Sequence, residues 1–241
     1  NQKLTRESEF RQKYNMNVSI HQPNYLPWLG FFNKVAQSDI HVVFDDVQYP
    51  MGKDFHNRNQ IKTNNGKTWL TIPVIGKSER RKFSEIQIKN NGWNEKHLNS
   101  IKNFYGKTKY FNEYYPSLEK FYTNTYDKLI DLNMDINKWF FKLLDINTKI
   151  IYSSELCDND LRGLDKIMYI LNKINTTRYI TSNGPGASRY IDENVFKNNN
   201  IELIWNEYTH PTYNQQFGEF IPYMSILDLL FNEGPNSKNI I

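Results

Sequence analysis

Apolar and polar positions follow three different rhythms along the chain, and each rhythm predicts its own elements. Val18-Ser19-Ile20 reads as the end of a short strand, and Phe31, Phe32 and Val35 keep the spacing of a helix face. Ala36-Gln37-Ser38-Asp39 breaks that helix, and residues 40–44 (IHVVF) follow as a compact β-branched run, a buried strand. A strand, a helix and a strand in this length predict a parallel crossover. Residues 52–65 are polar and irregular. Residues 69–74 (WLTIPV) are strongly β-prone and 85–89 (EIQIK) alternate, so the two predict a hairpin around the basic loop between them.

From 94 to 146 the rhythm is helical. Leu98, Ile101 and Phe104-Tyr105 mark one face, Tyr115, Leu118 and Tyr122 a second, and Leu129, Leu132, Ile136, Trp139-Phe140 and Leu143 a third. Aromatic stripes at this spacing predict a packed helical layer that serves as scaffold or lid. The α/β rhythm then returns, with strands at 149–153, 179–182 and 201–205 and helices at 161–174 and 189–196. Near the end Ser225 is placed as an N-cap, Ile226, Leu227, Leu229 and Leu230 bury a helix, and Gly234-Pro235 ends it. Asp228 interrupts that apolar stretch. A carboxylate there must lie at the helix edge or be bonded to a specific partner.

The pattern predicts an α/β fold: a Rossmann-like, three-layer, mostly parallel sheet with a β-hairpin and a helical insertion. Residues 16–241 are expected to form one such domain, with the insertion at about 94–146, and the polar residues 1–15 a flexible extension or tag remnant ahead of Met16. Aromatics make up 15% of the chain, so Phe, Tyr and Trp supply much of the core. A formal net charge of +4 is mild, and only 77–82 (KSERRK) is densely basic, which argues against DNA as a partner. That run itself reads as a solvated loop.

The lone Cys157 excludes a disulfide framework within the chain and a zinc site built on thiolates, and nothing near it in sequence makes it a nucleophile. No apolar run reaches the roughly 20 residues a membrane helix needs, and no signal peptide is recognisable. A cytoplasmic location is expected.

Candidate chemistry concentrates in residues 20–32 (IHQPNYLPWLGFF), too polar for core and too aromatic for a plain loop. A strand that ends in hydrogen-bonding groups and hands over to a helix is where open α/β sheets bind ligands. Asp45-Asp46 stand at the next strand end, where a turn or an N-cap would use the same residues. The turn 182–186 (SNGPG) has glycines that tolerate φ > 0 and a helix start after it, features suited equally to an anion cradle and to an ordinary strand-to-helix turn. His21, His56, Asp46 and His210 have no HxH or HxxxH spacing, so no metal site is expected.

The strings IHQPNYLPWLGFFNKV and SILDLLFNEGP, with the Asp-Asp strand end and the NRN segment before WLTIPV, resemble the WbqC-like family of bacterial proteins over nearly the whole chain. The resemblance implies a role in surface-polysaccharide and O-antigen synthesis, with transfer of an aminoacyl group, often glycyl, onto a nucleotide-linked amino sugar as the activity proposed for the family. The donor would be ATP-activated or an acyl or aminoacyl carrier. One departure is local: Gln60 stands where a more basic segment is expected, although Arg58 is retained.

Under that reading His21 is the general base, with Asp46 or Asp45 orienting it or binding the substrate ammonium; the other reading of His21 is a hydrogen-bonded residue that fixes the loop. Gln22, Asn24 and Asn183, between Ser182 and Gly184, are candidate oxyanion donors. Arg58, flanked by Asn57 and Asn59, would clamp a phosphate. Tyr25, Trp28, Tyr49 and Tyr208 offer aromatic faces to a sugar, or simply a pocket wall. His210, before Pro211, is either a rigid turn or part of the site lining. Two alternatives stay open: a non-catalytic binding or assembly component of the same pathway, and a nucleotidyltransferase-like enzyme that uses ATP and shares only the fold.

Overall fold

Strand β1 (Tyr14–His21) is the centre of a five-stranded sheet, and the chain leaves it through the HQPNYLPW loop into helix α1 (Leu29–Ala36). In this computed structural model residues 14–52, 54–156, 160–184, 188 and 190–241 are described. The expected positions Cys157, Pro185, Gly186 and Arg189, and residues 1–13, lie outside that set. β1 starts at Tyr14, so the last two residues of the segment expected to be an extension are already strand. β2 (Ile40–Val43) pairs with β1 in parallel, Val18 beside Ile40 and His21 beside Val43.

The polar stretch 52–65, expected to be irregular, contains a strand. β3 (Arg58–Thr63) pairs antiparallel with β4 (Gly66–Thr71) across the turn Asn64-Asn65, and Gly66 takes φ 113°, a conformation that favours glycine. The string WLTIPV is therefore divided. Trp69 to Thr71 belong to β4, while β5 (Val74–Ile75) pairs with β6 (Gln87–Ile88) around the basic loop. Pro73 has no N–H for a ladder, which explains the break between the two hairpins.

Three helices follow: α2 (Trp93–Tyr105), α3 (Phe111–Thr123) and α4 (Leu129–Leu143). Strand β7 (Lys149–Tyr152) runs directly into the short α5 (Ser153–Leu156), and α6 (Gly163–Ile174) leads to β8 (Thr176–Ser182). Helix α7 (Glu193–Asn198) starts four residues later than expected among the described residues, with the Asp192 carboxylate accepting from Asn194 N–H, and β9 (Glu202–Asn206) follows it. Ser225 caps α8 (Ile226–Glu233) through its hydroxyl, as expected.

The sheet order is β7-β2-β1-β8-β9, all parallel. One face packs Val18, Ile20, Ile40, Val42 and Tyr179 against Ile167, Ile170, Leu171 and Phe196 from α6 and α7. Phe31, Phe32 and Val35 of α1 join Phe140 and Phe141 of α4 in the core on the other side. Helices thus cover both faces, the arrangement expected of a buried parallel sheet. The β1 connection runs over the α1 face and the β8 connection over the α7 face. The sheet therefore switches direction between β1 and β8, and the crevice outside those strand ends is where such sheets bind ligands.

Candidate active site

His21 closes β1 at that switch point, and the β1–β8 register, Ser19 beside Ile180, brings Ser182 level with it two residues on. Its Nδ1 lies 2.7 Å from the Gln22 carbonyl. A carbonyl only accepts, so Nδ1 carries the proton and Nε2 presents a lone pair. Burial, and next the charge of Lys34, hold the imidazole well below its usual pKa, against the opposing Gln22 bond. The ring is neutral at neutral pH, with Nε2 as the acceptor.

The loop after His21 is held from several directions. Asn133 Nδ2 of α4 donates to Pro23 O at 3.2 Å and to His56 O at 2.8 Å, and Asn137 Nδ2 one turn on donates to Asn24 O at 3.1 Å. Asn59 Nδ2 of β3 donates to Leu26 O at 2.6 Å. Tyr25 is fully buried, its hydroxyl bonded to Tyr122 OH and His97 Nδ1. Tyr25 and the equally buried Tyr49 therefore present no face to a sugar. Trp28 does remain half exposed, edge-on to Tyr208 and Tyr223. Its indole lies over Gly30, where a Cβ would collide with it.

The paired aspartates bond to α5 and α6, not to His21. Asp45 accepts from Ser154 N–H at 3.0 Å and Ser154 Oγ at 2.7 Å, at the start of α5, and Ser153 Oγ lies 3.0 Å from it. Asp46 pairs with Lys166 Nζ at 2.5 Å, both side chains nearly inaccessible. His21 is thus oriented by a backbone carbonyl, and neither carboxylate fills that role. The N-cap and ion-pair roles engage both aspartates.

Arg58 stacks over Trp69, 4.0 Å from the ring centroid, and its Nε donates to Asp54 O at 3.2 Å. Asn57 Nδ2 donates to Ile72 O, so both asparagines of the NRN segment brace backbone. Gln22 is half-buried, with Nε2 3.3 Å from Gln48 O. His210 uses both nitrogens internally, Nδ1 to Pro211 O at 2.9 Å and Nε2 from Tyr223 N–H at 3.1 Å, the bonding of a rigid turn. Asn183 is exposed beside Ser182, and Gly184 does not use φ > 0. Among the described residues no group of three His, Cys, Asp or Glu side chains is placed to hold a metal ion, and no helix is long and apolar enough to cross a membrane.

Two neighbours of His21 are absent from the sequence-based set. Lys34 lies on the sheet-facing side of α1, 2% exposed, and burial lowers its pKa to about 7. His41 of β2 is 2% exposed, and burial lowers it to about 3. Its Nδ1 lies 2.8 Å from Ser19 Oγ, in a chain that continues through Ser38 Oγ to Lys34 O. A signal for both was present: a lysine on the apolar face of LGFFNKVA and a histidine inside the buried strand IHVV. Perturbed ionisable groups close to a histidine at a strand end mark a candidate functional site.

A model of the WbqC-like protein family matches residues 22–240. The chain belongs to the WbqC-like protein family. The matched span opens at Gln22, one residue after His21, and takes in Lys34, His41 and all of the loop that Asn133 and Asn137 hold. Among curated proteins, the uncharacterized protein Rv1507c of Mycobacterium tuberculosis is 33% identical over 229 residues, covering 93% of this chain and 96% of its own. No solved structure matches the chain with significance.

Proposed function

We propose that this WbqC-like protein transfers an acyl or aminoacyl group, glycyl being the first candidate, to the amino group of a nucleotide-linked amino sugar in bacterial surface-polysaccharide synthesis. The carrying observation is the tautomer of His21: Nδ1–H is tied to Gln22 O, which leaves the Nε2 lone pair at the strand-end crevice. In the reaction the sugar nitrogen attacks the acyl carbonyl carbon, and Nε2 accepts the proton that the nitrogen sheds. The bond from that carbon to its leaving group, a phosphate, thiol or ribose oxygen, then breaks. A base that is neutral throughout the physiological range is always in its working form, at the cost of lower basicity. Trp28 and Tyr208 are suited to the sugar, and Arg58 to a phosphate.

The test is to incubate the protein with a UDP- or dTDP-linked amino sugar and either glycine with ATP or charged glycyl-tRNA, and to weigh the sugar nucleotide by mass spectrometry. A gain of one acyl group, lost in a folded His21→Ala variant, is expected. No gain with any donor overturns the reading. Transfer that survives His21→Ala removes His21 from the chemistry.

A further inference from the structure

Among the described residues three lysine side chains are nearly enclosed: Lys34, Lys62 and Lys166. Two of them are compensated. Lys166 pairs with Asp46, and Lys62 Nζ donates to Glu219 O at 2.6 Å with Asp228 close by. Lys34 differs. Among the described residues no carboxylate or carbonyl accepts from its ammonium, and its neighbours are the imidazoles of His21 and His41. Both rings are neutral, so neither supplies a counter-charge. Its stem is enclosed, but its nitrogen is not among the fully buried polar atoms that lack a partner, so the amine still reaches solvent and is open to an incoming group. A nearly enclosed cation without an acceptor is costly, and an opposite charge beside it would offset that cost.

Direction points the same way. Helix α1 runs back against β1, so its N-terminus stands at the strand-end crevice. Helical side chains lean toward the N-terminus of their helix, which carries the Lys34 stem toward His21. Phe31, one turn earlier, packs edge-on to both His21 and His41 at 5.5 and 5.7 Å and walls the stem in.

We propose that Lys34, beside His21 at the strand-end crevice, is the binding group for an oxyanion of the ligand, a phosphate or a carboxylate. The anion completes the ion pair that the chain leaves half built, and Lys34 holds it within reach of the open Nε2 of His21. The place of the site rests on the proposed transfer reading. The affinity for an anion does not, since it follows from an enclosed lysine that has no acceptor of its own.

Inorganic phosphate, pyrophosphate and acetate are the probes, and binding is read without turnover, by calorimetry and by protection of the Lys34 amine from reductive methylation at neutral pH. Wild type is expected to bind at least one of them, and Lys34→Met to lose at least tenfold in affinity while melting no lower than wild type. Preference for pyrophosphate assigns the anion to a phosphate, and preference for acetate assigns it to a carboxylate. Lys34→Arg, which keeps the charge, retains anion binding. Absence of binding by wild type, or equal binding by Lys34→Met, overturns the proposal. Lys34-dependent binding without any acyl transfer retains this inference and rejects the proposed reaction.

Discussion

Asn133, fully buried on α4, donates its side-chain amide to the backbone carbonyl of Pro23 in the loop that follows His21. A second acceptor, His56 O, shares the same nitrogen. The helical layer therefore shapes the crevice as well as filling space beside it.

Asn133→Ala removes the donor of His56 O and leaves Pro23 O with only the His56 ring. The loss is expected to be about 1 to 3 kcal/mol in urea unfolding, because a buried acceptor left unbonded costs its full desolvation. Any transfer activity should fall further than stability does, since the loop that carries Gln22 and positions His21 loses its anchor. An Asn133→Ala protein with wild-type stability would argue against the anchoring role.

Acid should destabilise the fold well above the range of ordinary carboxylates. Burial is the leading cause of a lowered pKa at all five histidines: His41 to about 3, His56 and His97 to about 4, His21 well down, and His210 lowered. Unfolded histidines protonate near pH 6.5, so between about 6.5 and 4 the unfolded chain binds more protons and stability falls as pH falls. Asp228, whose carboxyl burial raises, opposes this with a single proton. Urea midpoints at pH 7 and 5 and the proton uptake on unfolding at pH 5 check the sign. An unchanged midpoint would contradict the burial of these rings.

Lys34→Met should stabilise the protein in a buffer free of phosphate and carboxylates. Lys34 is held at about 7, against a usual 10.5, so the folded chain carries its full charging penalty below pH 7. Between 7 and 10.5 the unfolded lysine binds the proton that the folded one releases, and wild-type stability recovers as pH rises. The advantage of Lys34→Met is thus largest at or below neutrality, with a ceiling of roughly 5 kcal/mol, and shrinks toward pH 10. Parallel melts of the two proteins across that range give the difference directly.

Gly30→Ala tests the aromatic corner. The added methyl meets the Trp28 indole, which must swing away from Tyr208 and Tyr223. Overpacking of this kind costs about 1 to 3 kcal/mol, and the Trp28 fluorescence should shift toward that of a solvent-exposed indole. Normal fluorescence with normal stability would mean that the loop accommodates the methyl without losing the corner.

Tyr105→Phe removes the hydroxyl that donates to Asp228 Oδ1 at 2.9 Å and leaves the carboxylate with Tyr213 and Gln215. Hydrogen bonds to charged groups contribute about 1.5 to 3 kcal/mol, which sets the expected loss in denaturant unfolding. Asp228→Ala should cost more, since it leaves Tyr105, Tyr213 and Gln215 without their shared acceptor.

Elements with a local signature were legible in the chain itself. The β1-α1-β2 crossover, the three helices before β7, the Ser225 cap and the need of Asp228 for partners all follow from periodicity, capping chemistry or the cost of a dry carboxylate. The strand Arg58–Thr63 was hidden because its buried positions include Asn59 and Lys62, polar groups satisfied by Leu26 O and Glu219 O from distant parts of the chain. His21 could be read as a candidate from its strand-end position, but not its orienting partner: the adjacent aspartates engage Ser153, Ser154 and Lys166, and a backbone carbonyl holds the imidazole. Lys34, His41, Asn133 and Asn137 acquire their roles only when helix and loop are laid on the sheet. Side-chain rhythm is a property of neighbours in sequence, and it decides which faces are buried. The pairing of each buried polar group is a property of neighbours in space, and only the tertiary fold decided that Lys34 would be left without a partner beside His21.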